Sequence, residues 1–347
     1  MLASSLASYA GNCIISNLIR AAIIGVAGYS GQETLDRVLG HPELEVAALG
    51  SDSLAGEPPD ALDPRLGRNG SSAAPAFVPN AEALAGGADV VFLCLGHEEA
   101  AALEPPAEGI VVDLSGGHRL REAGAYEEWY GFVHPRPADL AEWEYAAPEL
   151  APPVGRLLAS PGCYATAVLL ALAPLADAVE PDSVVVDAKS GVSGAGRALR
   201  AESHAGAVLE NLTPYRVGRH QHAAEIEQAL GFPVCFVPHL LPVRRGLVAT
   251  CYATPLAGGL RERLEDAYAA SGAVTVLPEG TVPRLDRVQG TDAAEIGLFE
   301  DRATGRAIVV CALDNLGLGA AGQAVENANL ALGLDRYGGL RFPGVLV

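Results

Sequence analysis

Lysine is almost missing from this chain. Of 23 basic residues among 347, Lys189 is the only lysine and the rest are arginine. With alanine and glycine abundant, that bias fits a GC-rich coding sequence rather than a mechanism. Positive charge of either kind is short, since 42 acidic residues leave a formal net charge of −19. Such a surface repels phosphate backbones and anionic headgroups, which argues against nucleic acid and against an anionic membrane as partners. Long apolar runs are missing too: no segment approaches the roughly 20 uninterrupted apolar residues of a membrane span. Residues Met1 to Ile19 have no basic start before an apolar stretch, so they read as a loose N-terminal extension rather than a signal peptide.

Paired cysteines are also lacking. Besides Cys163 the chain holds Cys13, Cys94, Cys235, Cys251 and Cys311, none of them in a Cys-x-x-Cys pair. Four of these five lie in apolar, strand-like runs such as Val90-Val91-Phe92-Leu93-Cys94. That excludes a disulfide framework and a cysteine zinc site, and it suits reduced thiols in a cytoplasmic enzyme. Cys163 differs by its context, Ser160-Pro161-Gly162-Cys163-Tyr164-Ala165-Thr166, which runs straight into the apolar stretch Ala167 to Leu175. A Pro-Gly turn feeding a helical pattern puts this thiol at a helix N-terminus, where free N–H groups and the positive dipole end favour a thiolate nucleophile.

The length predicts about two domains. Ala21 to Val26 reads as a buried strand that enters Gly25-Val26-Ala27-Gly28-Tyr29-Ser30-Gly31, and a helix follows through Leu39. His41-Pro42 stops that helix, and Leu44 to Leu49 reads as the second strand. A glycine turn between strand and helix is the setting in which backbone and helix N-terminus approach a pyrophosphate. Gly25, Gly28, Tyr29, Ser30 and Gly31 are therefore candidate cofactor residues. The second strand ends at Ser51-Asp52, about 20 residues on, where a ribose partner belongs. Ser51 suits a 2′-phosphate and Asp52 repels one, so the residues alone leave NAD and NADP both open. Strands at Asp89–Leu95 and Gly109–Leu114 follow, and the Pro/Gly/Ala-rich stretch from Gly56 to Pro79 reads as surface loop. Strands alternating with helices predict a parallel, doubly wound α/β sheet.

The second half carries four further clusters. A strand from Ser183 to Ala188 leads into the glycine-rich run Lys189 to Arg197, a loop whose N–H groups can approach a ligand. His220 and His222 open a helix; their i, i+2 spacing and the lack of a third ligand argue against zinc, and either suits acid–base work. Of Arg244 and Arg245, one is expected to point inward toward an anion. Finally, a strand from Ile308 to Leu313 precedes Asp314-Asn315 and a glycine turn, Gly317 to Gly322, with a last helix to about Leu334.

In that order, and over nearly the whole chain from Ala21, these motifs resemble N-acetyl-γ-glutamyl-phosphate reductases and, more distantly, aspartate-semialdehyde dehydrogenases. The resemblance implies a Rossmann-type NADP-binding domain over 20–162 and a mixed α/β catalytic and dimerisation domain over 163–318. A C-terminal part, 319–347, returns to the first domain. It implies Cys163 as nucleophile and His222 as its acid–base partner, with His220 as the alternative. It places Ser190, Gly191, Gly194 and Asn315 beside the NADP, and Arg119, Ser160, His220 and Arg245 beside a small acyl-phosphate substrate. A homodimer or homotetramer and no metal are expected. A carrier-bound aminoadipyl phosphate, an aspartyl phosphate and a non-enzymatic nucleotide sensor are the alternative readings. The chain departs from the family's common pattern at Ala27, where Ser or Thr is usual. It departs again at Gly116-Gly117-His118, where Ala-Asp-Phe is common.

Overall fold

The computed structural model describes residues 18–67, 74–197 and 204–342. Most of the expected N-terminal extension, with Cys13, and part of the 56–79 stretch lie outside the described residues. Two seven-stranded sheets organise the rest. The first runs β3-β2-β1-β4-β5-β7-β6, from Ile19–Ile24 (β1), Leu44–Gly50 (β2), Phe77–Val78 (β3), Val90–Leu93 (β4), Ile110–Asp113 (β5), Glu144–Tyr145 (β6) and Leu157–Ala159 (β7). Every pairing in it is parallel. Its central strands are buried on both faces, as their unbroken apolar runs require. The doubly wound reading holds. Four longer strands were legible, whereas β3, β6 and β7 have two or three residues each and are strands only because neighbours pair with them.

The second sheet is mixed, with order β12-β13-β14-β11-β8-β10-β9. Its strands are Val185–Gly191 (β8), Thr213–Pro214 (β9), Cys235–Leu241 (β10), Leu247–Ala253 (β11), Val274–Val276 (β12), Ala294–Glu300 (β13) and Ala307–Leu313 (β14). Strand β8 continues three residues beyond the expected Ala188, carrying Ser190 and Gly191 into the sheet itself. In β11, Leu247, Ala249, Cys251 and Ala253 are buried and alternate with half-buried residues, so one face of the sheet is packed and the other is not.

Five helices hold the site residues in place: Tyr29–Leu39 (α1), Asn80–Ala85 (α2), Cys163–Leu172 (α3), Gln221–Leu230 (α4) and Gly322–Leu332 (α5). Residues 164–172 of α3 are all buried, because the helix is apolar all round and lies in the core of the second sheet. Helix α5 sends Ala324, Val325 and Ala328 into the core of the first sheet. The two halves are also tied by charge. Arg37 on α1 meets Asp292 at 2.6 Å with both side chains fully buried, so neither can lose the other without stranding a charge.

Candidate active site

The glycine turn has the build that a dinucleotide requires. Gly25 has φ +79°, and a Cβ there would lie 2.6 Å from the carbonyl oxygen of Cys94. A Cβ on Gly31 would lie 2.6 Å from the carbonyl oxygen of Gly25. Gly28 has no such neighbour, its nearest atom being 3.5 Å away, which leaves its outer side free. Helix α1 then starts with no side-chain cap, so its first N–H groups face outward for an anion. Tyr29 is exposed and Ser30 half-buried at that start. These features fit a nucleotide cofactor. Ser51 is buried at the end of β2, its hydroxyl 3.2 Å from that of Ser53. Asp52 turns to α2 instead, accepting from Asn80 N at 2.9 Å and Asn80 Nδ2 at 3.1 Å. The carboxylate that argued against a 2′-phosphate is thus spent on a helix start.

Second-half segments close over this turn. Arg197 Nη1 donates to the Ala27 carbonyl at 2.9 Å, joining the end of the glycine-rich loop to the dinucleotide turn. Arg245 points inward while Arg244 is exposed. Its Nη1 meets Glu33 of α1 and its Nε meets Asp314, each at 2.6 Å, while Nη2 is buried without a partner. Asn315 is buried and uses both ends of its amide. Oδ1 accepts from Gly246 N at 2.7 Å and Nδ2 donates to Ser193 Oγ at 3.0 Å. A Cβ on Gly194 would sit 3.2 Å from Ser190 Oγ and 3.8 Å from Asn315 Nδ2. A Cβ on Gly191 would strike the Val243 carbonyl at 2.8 Å. Ser190, Gly191, Gly194 and Asn315 therefore form one packed cluster.

Cys163 is the first residue of α3, with Gly162 as the cap. Above it passes a π-helical turn, Gly317–Ala321, so close that a Cβ on Gly319 would lie 2.9 Å from Cys163 Cβ. Burial pushes the Cys163 thiol up to about 12, against the pull of Arg119 and of backbone N–H groups. Cys163 is itself half-buried, so the helix start and desolvation pull its thiol in opposite directions. His222 lies against the turn that carries Cys163. Its ring packs on Gly162, where a Cβ would come within 2.3 Å of Nε2. Burial, with Arg119 and His97 nearby, holds His222 well below the usual imidazole range and hence neutral. Its Nδ1 is buried without a hydrogen-bond partner.

His220 sits elsewhere in the arrangement. It caps α4, its Nδ1 accepting from His222 N at 3.2 Å, and it is wedged edge-on against Tyr164, Tyr215 and Phe236. Burial drives it down to about 2. Ser160 is buried, its hydroxyl accepting from Asn327 Nδ2 at 3.3 Å. Arg119 spends its guanidinium on the chain: Nε on the Ser160 carbonyl, Nη2 on that of Leu114, and Nη1 on Glu225 at 3.1 Å.

Glu225 was given no role on sequence, yet it is the carboxylate at the centre of this site. It is fully buried and accepts from Arg119, Tyr130, Tyr145 and the Gly162 N–H. Its Oε1 lies 3.7 Å from His222 Nε2. The available signal was its place three residues after His222, on the same face of one helix.

Comparison with known proteins identifies the chain's relatives. The semialdehyde dehydrogenase NAD-binding domain matches residues 20–155 and the semialdehyde dehydrogenase dimerisation domain matches 163–315. The N-acetyl-gamma-glutamyl-phosphate reductase of Salinispora tropica is 43% identical over 338 residues, covering 94% of this chain and 99% of its own length. That of Acidothermus cellulolyticus is 42% identical, with 94% and 98% covered. Among solved structures, aspartate semialdehyde dehydrogenase II of Vibrio cholerae superposes with TM-score 0.70 at 18% identity, over 91% of this chain and 98% of that one. The Candida albicans enzyme with NADP gives 0.60 at 17%, over 91% and 98%; both likenesses speak to the fold. By sequence likeness over nearly its whole length, the chain belongs to the N-acetyl-gamma-glutamyl-phosphate reductase family of semialdehyde dehydrogenases.

Proposed function

We propose that this enzyme reduces N-acetyl-L-glutamyl 5-phosphate to N-acetyl-L-glutamate 5-semialdehyde and phosphate, a step of arginine biosynthesis, with Cys163 as nucleophile. The observation that carries the reading is convergence. The Arg197–Ala27 hydrogen bond and the Glu33–Arg245 ion pair bring the glycine turn over the segments that border Cys163. His222, neutral beside the nucleophile turn, takes the thiol proton, and the sulfur attacks the acyl carbon. The C–O bond to phosphate breaks, phosphate leaves with its electron pair, and a thioester to Cys163 remains. Gly25, Gly28, Tyr29, Ser30, Gly31 and Ser51 with the Ser190–Asn315 cluster would hold NADPH, which when bound would supply the hydride that reduces the thioester carbon. His222 manages the proton as the C–S bond breaks and the aldehyde leaves. The N–H groups at the start of α3 are the donors available to the oxyanion. Arg119 is spent on Glu225 and Arg245 on Glu33 and Asp314, so Arg245 Nη2, buried without a partner, is the donor left for an anionic group of the substrate.

We further propose a homodimer formed through the unpacked face of the second sheet, where Val248, Thr250 and Tyr252 alternate with the buried residues of β11. Light scattering after gel filtration tests it. The described cysteines are all unpaired, which suits a cytoplasmic enzyme.

The test is oxidation of N-acetylglutamate 5-semialdehyde by the purified protein, followed as NADPH formation. Dependence on phosphate is the expected result, with kcat/KM higher for NADP than for NAD. Inactivity there, with activity on carrier-bound aminoadipate semialdehyde, makes it a lysine-pathway enzyme. Inactivity on both overturns the reductase reading.

A further inference from the structure

The Gly116-Gly117-His118 departure has a structural counterpart. A Cβ on Gly116 would lie 2.2 Å from Tyr130 Cε1 and 2.7 Å from its hydroxyl oxygen, so the Tyr130 ring fills the space that any larger residue would need. Gly116 N donates to His97 Nδ1 at 2.8 Å, and the His97 ring stands edge-on to Tyr130 at 5.1 Å. A Cβ on Gly117 would strike the backbone of the His97–Ala102 helix at 2.8 Å. The two glycines let this segment lie flat against that helix and against the phenol.

Seated there, Tyr130 donates its hydroxyl to Glu225 Oε1 at 3.0 Å. The other oxygen of Glu225 accepts from Gly162 N at 2.9 Å, the N–H immediately before Cys163. We propose that Tyr130, admitted by Gly116, is a positioning residue for Cys163, acting through Glu225 on the Gly162–Cys163 turn. The same contact restrains Glu225 from turning to His222 Nε2, 3.7 Å away. His222 is otherwise faced by Arg119, His97, Arg216, Tyr164 and His220, none of which carries negative charge at neutral pH. Arg119 Nη1 also holds Glu225 Oε1 at 3.1 Å, so loss of the phenol loosens the carboxylate rather than freeing it. Among the described residues facing His222, that carboxylate is the anion that can draw a proton onto the ring and disable it as base.

The inference rests on Cys163 being the nucleophile, and its test separates the two claims. Tyr130→Phe keeps the ring against Gly116 and removes only the hydroxyl. Its kcat should fall about tenfold, the worth of one hydrogen bond to a charged group, with KM within about twofold. The acid limb of the kcat profile should move to higher pH. Alkylation of Cys163 by iodoacetamide, read on its peptide by mass spectrometry, should slow in parallel, and this readout needs no substrate. Gly116→Ala should reproduce the loss, and the double variant should be little worse than either single one. Normal kcat and alkylation in Tyr130→Phe overturn the proposal, as do additive losses. A raised KM at unchanged kcat also overturns it, because Tyr130 would then contact substrate. Wild-type protein that alkylates normally but turns over nothing overturns the reductase reading instead.

Discussion

Gly162→Ala adds one methyl at the turn shared by Cys163, His222 and Glu225. The new Cβ would stand 2.3 Å from His222 Nε2, 2.5 Å from Cε1 and 2.7 Å from Cδ2, well inside van der Waals contact. Relief requires the ring to withdraw by about 1 Å or more, because ordinary carbon contacts lie near 3.5–4.0 Å. His222 has little room to do so, flanked by His220 at 4.7 Å between ring centroids and by Tyr164 at 5.8 Å. The alternative is to tilt the turn, which stretches the 2.9 Å bond from Gly162 N to Glu225. A misplacement of about 1 Å costs roughly a hundredfold in rate, and overpacking costs about 1–3 kcal/mol of stability. We therefore expect kcat for the semialdehyde to drop about a hundredfold while NADPH binding, measured by its fluorescence, stays near wild type. A Gly162→Ala enzyme within threefold of wild-type kcat would refute the contact between His222 and the nucleophile turn.

Two predictions concern stability against pH. His220 is held down to about 2 by burial, with His222 well below the usual range for the same reason. The folded state thus refuses protons that the unfolded chain binds below about 6.5. Their contribution is complete above that pH and is lost as pH falls toward about 2, with a slope of up to about 1.4 kcal/mol per pH unit for each histidine. Urea midpoints should fall steeply from pH 6.5 to 5, and a flat profile would contradict the burial of these rings. Glu326 behaves in the opposite sense. It is fully buried beside Glu149, and Oε2 of each carboxyl lacks a donor, while Arg336 meets Glu326 at 2.7 Å and Glu149 at 3.0 Å. Burial and the Glu149 charge push Glu326 well above the carboxylate range, so the folded form binds its proton more tightly than the unfolded chain. That stability is present below about pH 4.3 and is lost as pH rises toward the raised value. Glu326→Gln should therefore gain in melting temperature relative to wild type as pH goes from 5 to 8, and a pH-independent difference would count against a shared proton.

What could be read from sequence was local. The glycine turn, the helix start at Cys163 and the inward Arg245 each depend on residues within one short segment, where turn chemistry and capping leave a pattern. The short strands β6 and β7 left none, because three residues such as Leu157–Ala159 become a strand only when β5 lies alongside. Glu225 was hidden for the same reason. Its donors arrive from positions 119, 130, 145 and 162, and nothing in the helix that carries it announces them. Gly117 stands where an acidic residue is common in the family, and nothing in the local sequence shows that the glycine before it, Gly116, leaves the space that Tyr130 occupies.

The most direct measurement of the central claim is to find the acyl group on the enzyme. Wild-type protein would be exposed to freshly generated N-acetylglutamyl phosphate without NADPH, quenched in acid, digested and read by mass spectrometry. The N-acetylglutamyl mass should appear on the peptide that contains Cys163 and vanish when NADPH is added, and Cys163→Ser should carry no thioester while still binding NADPH. An adduct on another cysteine, or turnover by Cys163→Ser at the wild-type rate, would contradict Cys163 as the nucleophile.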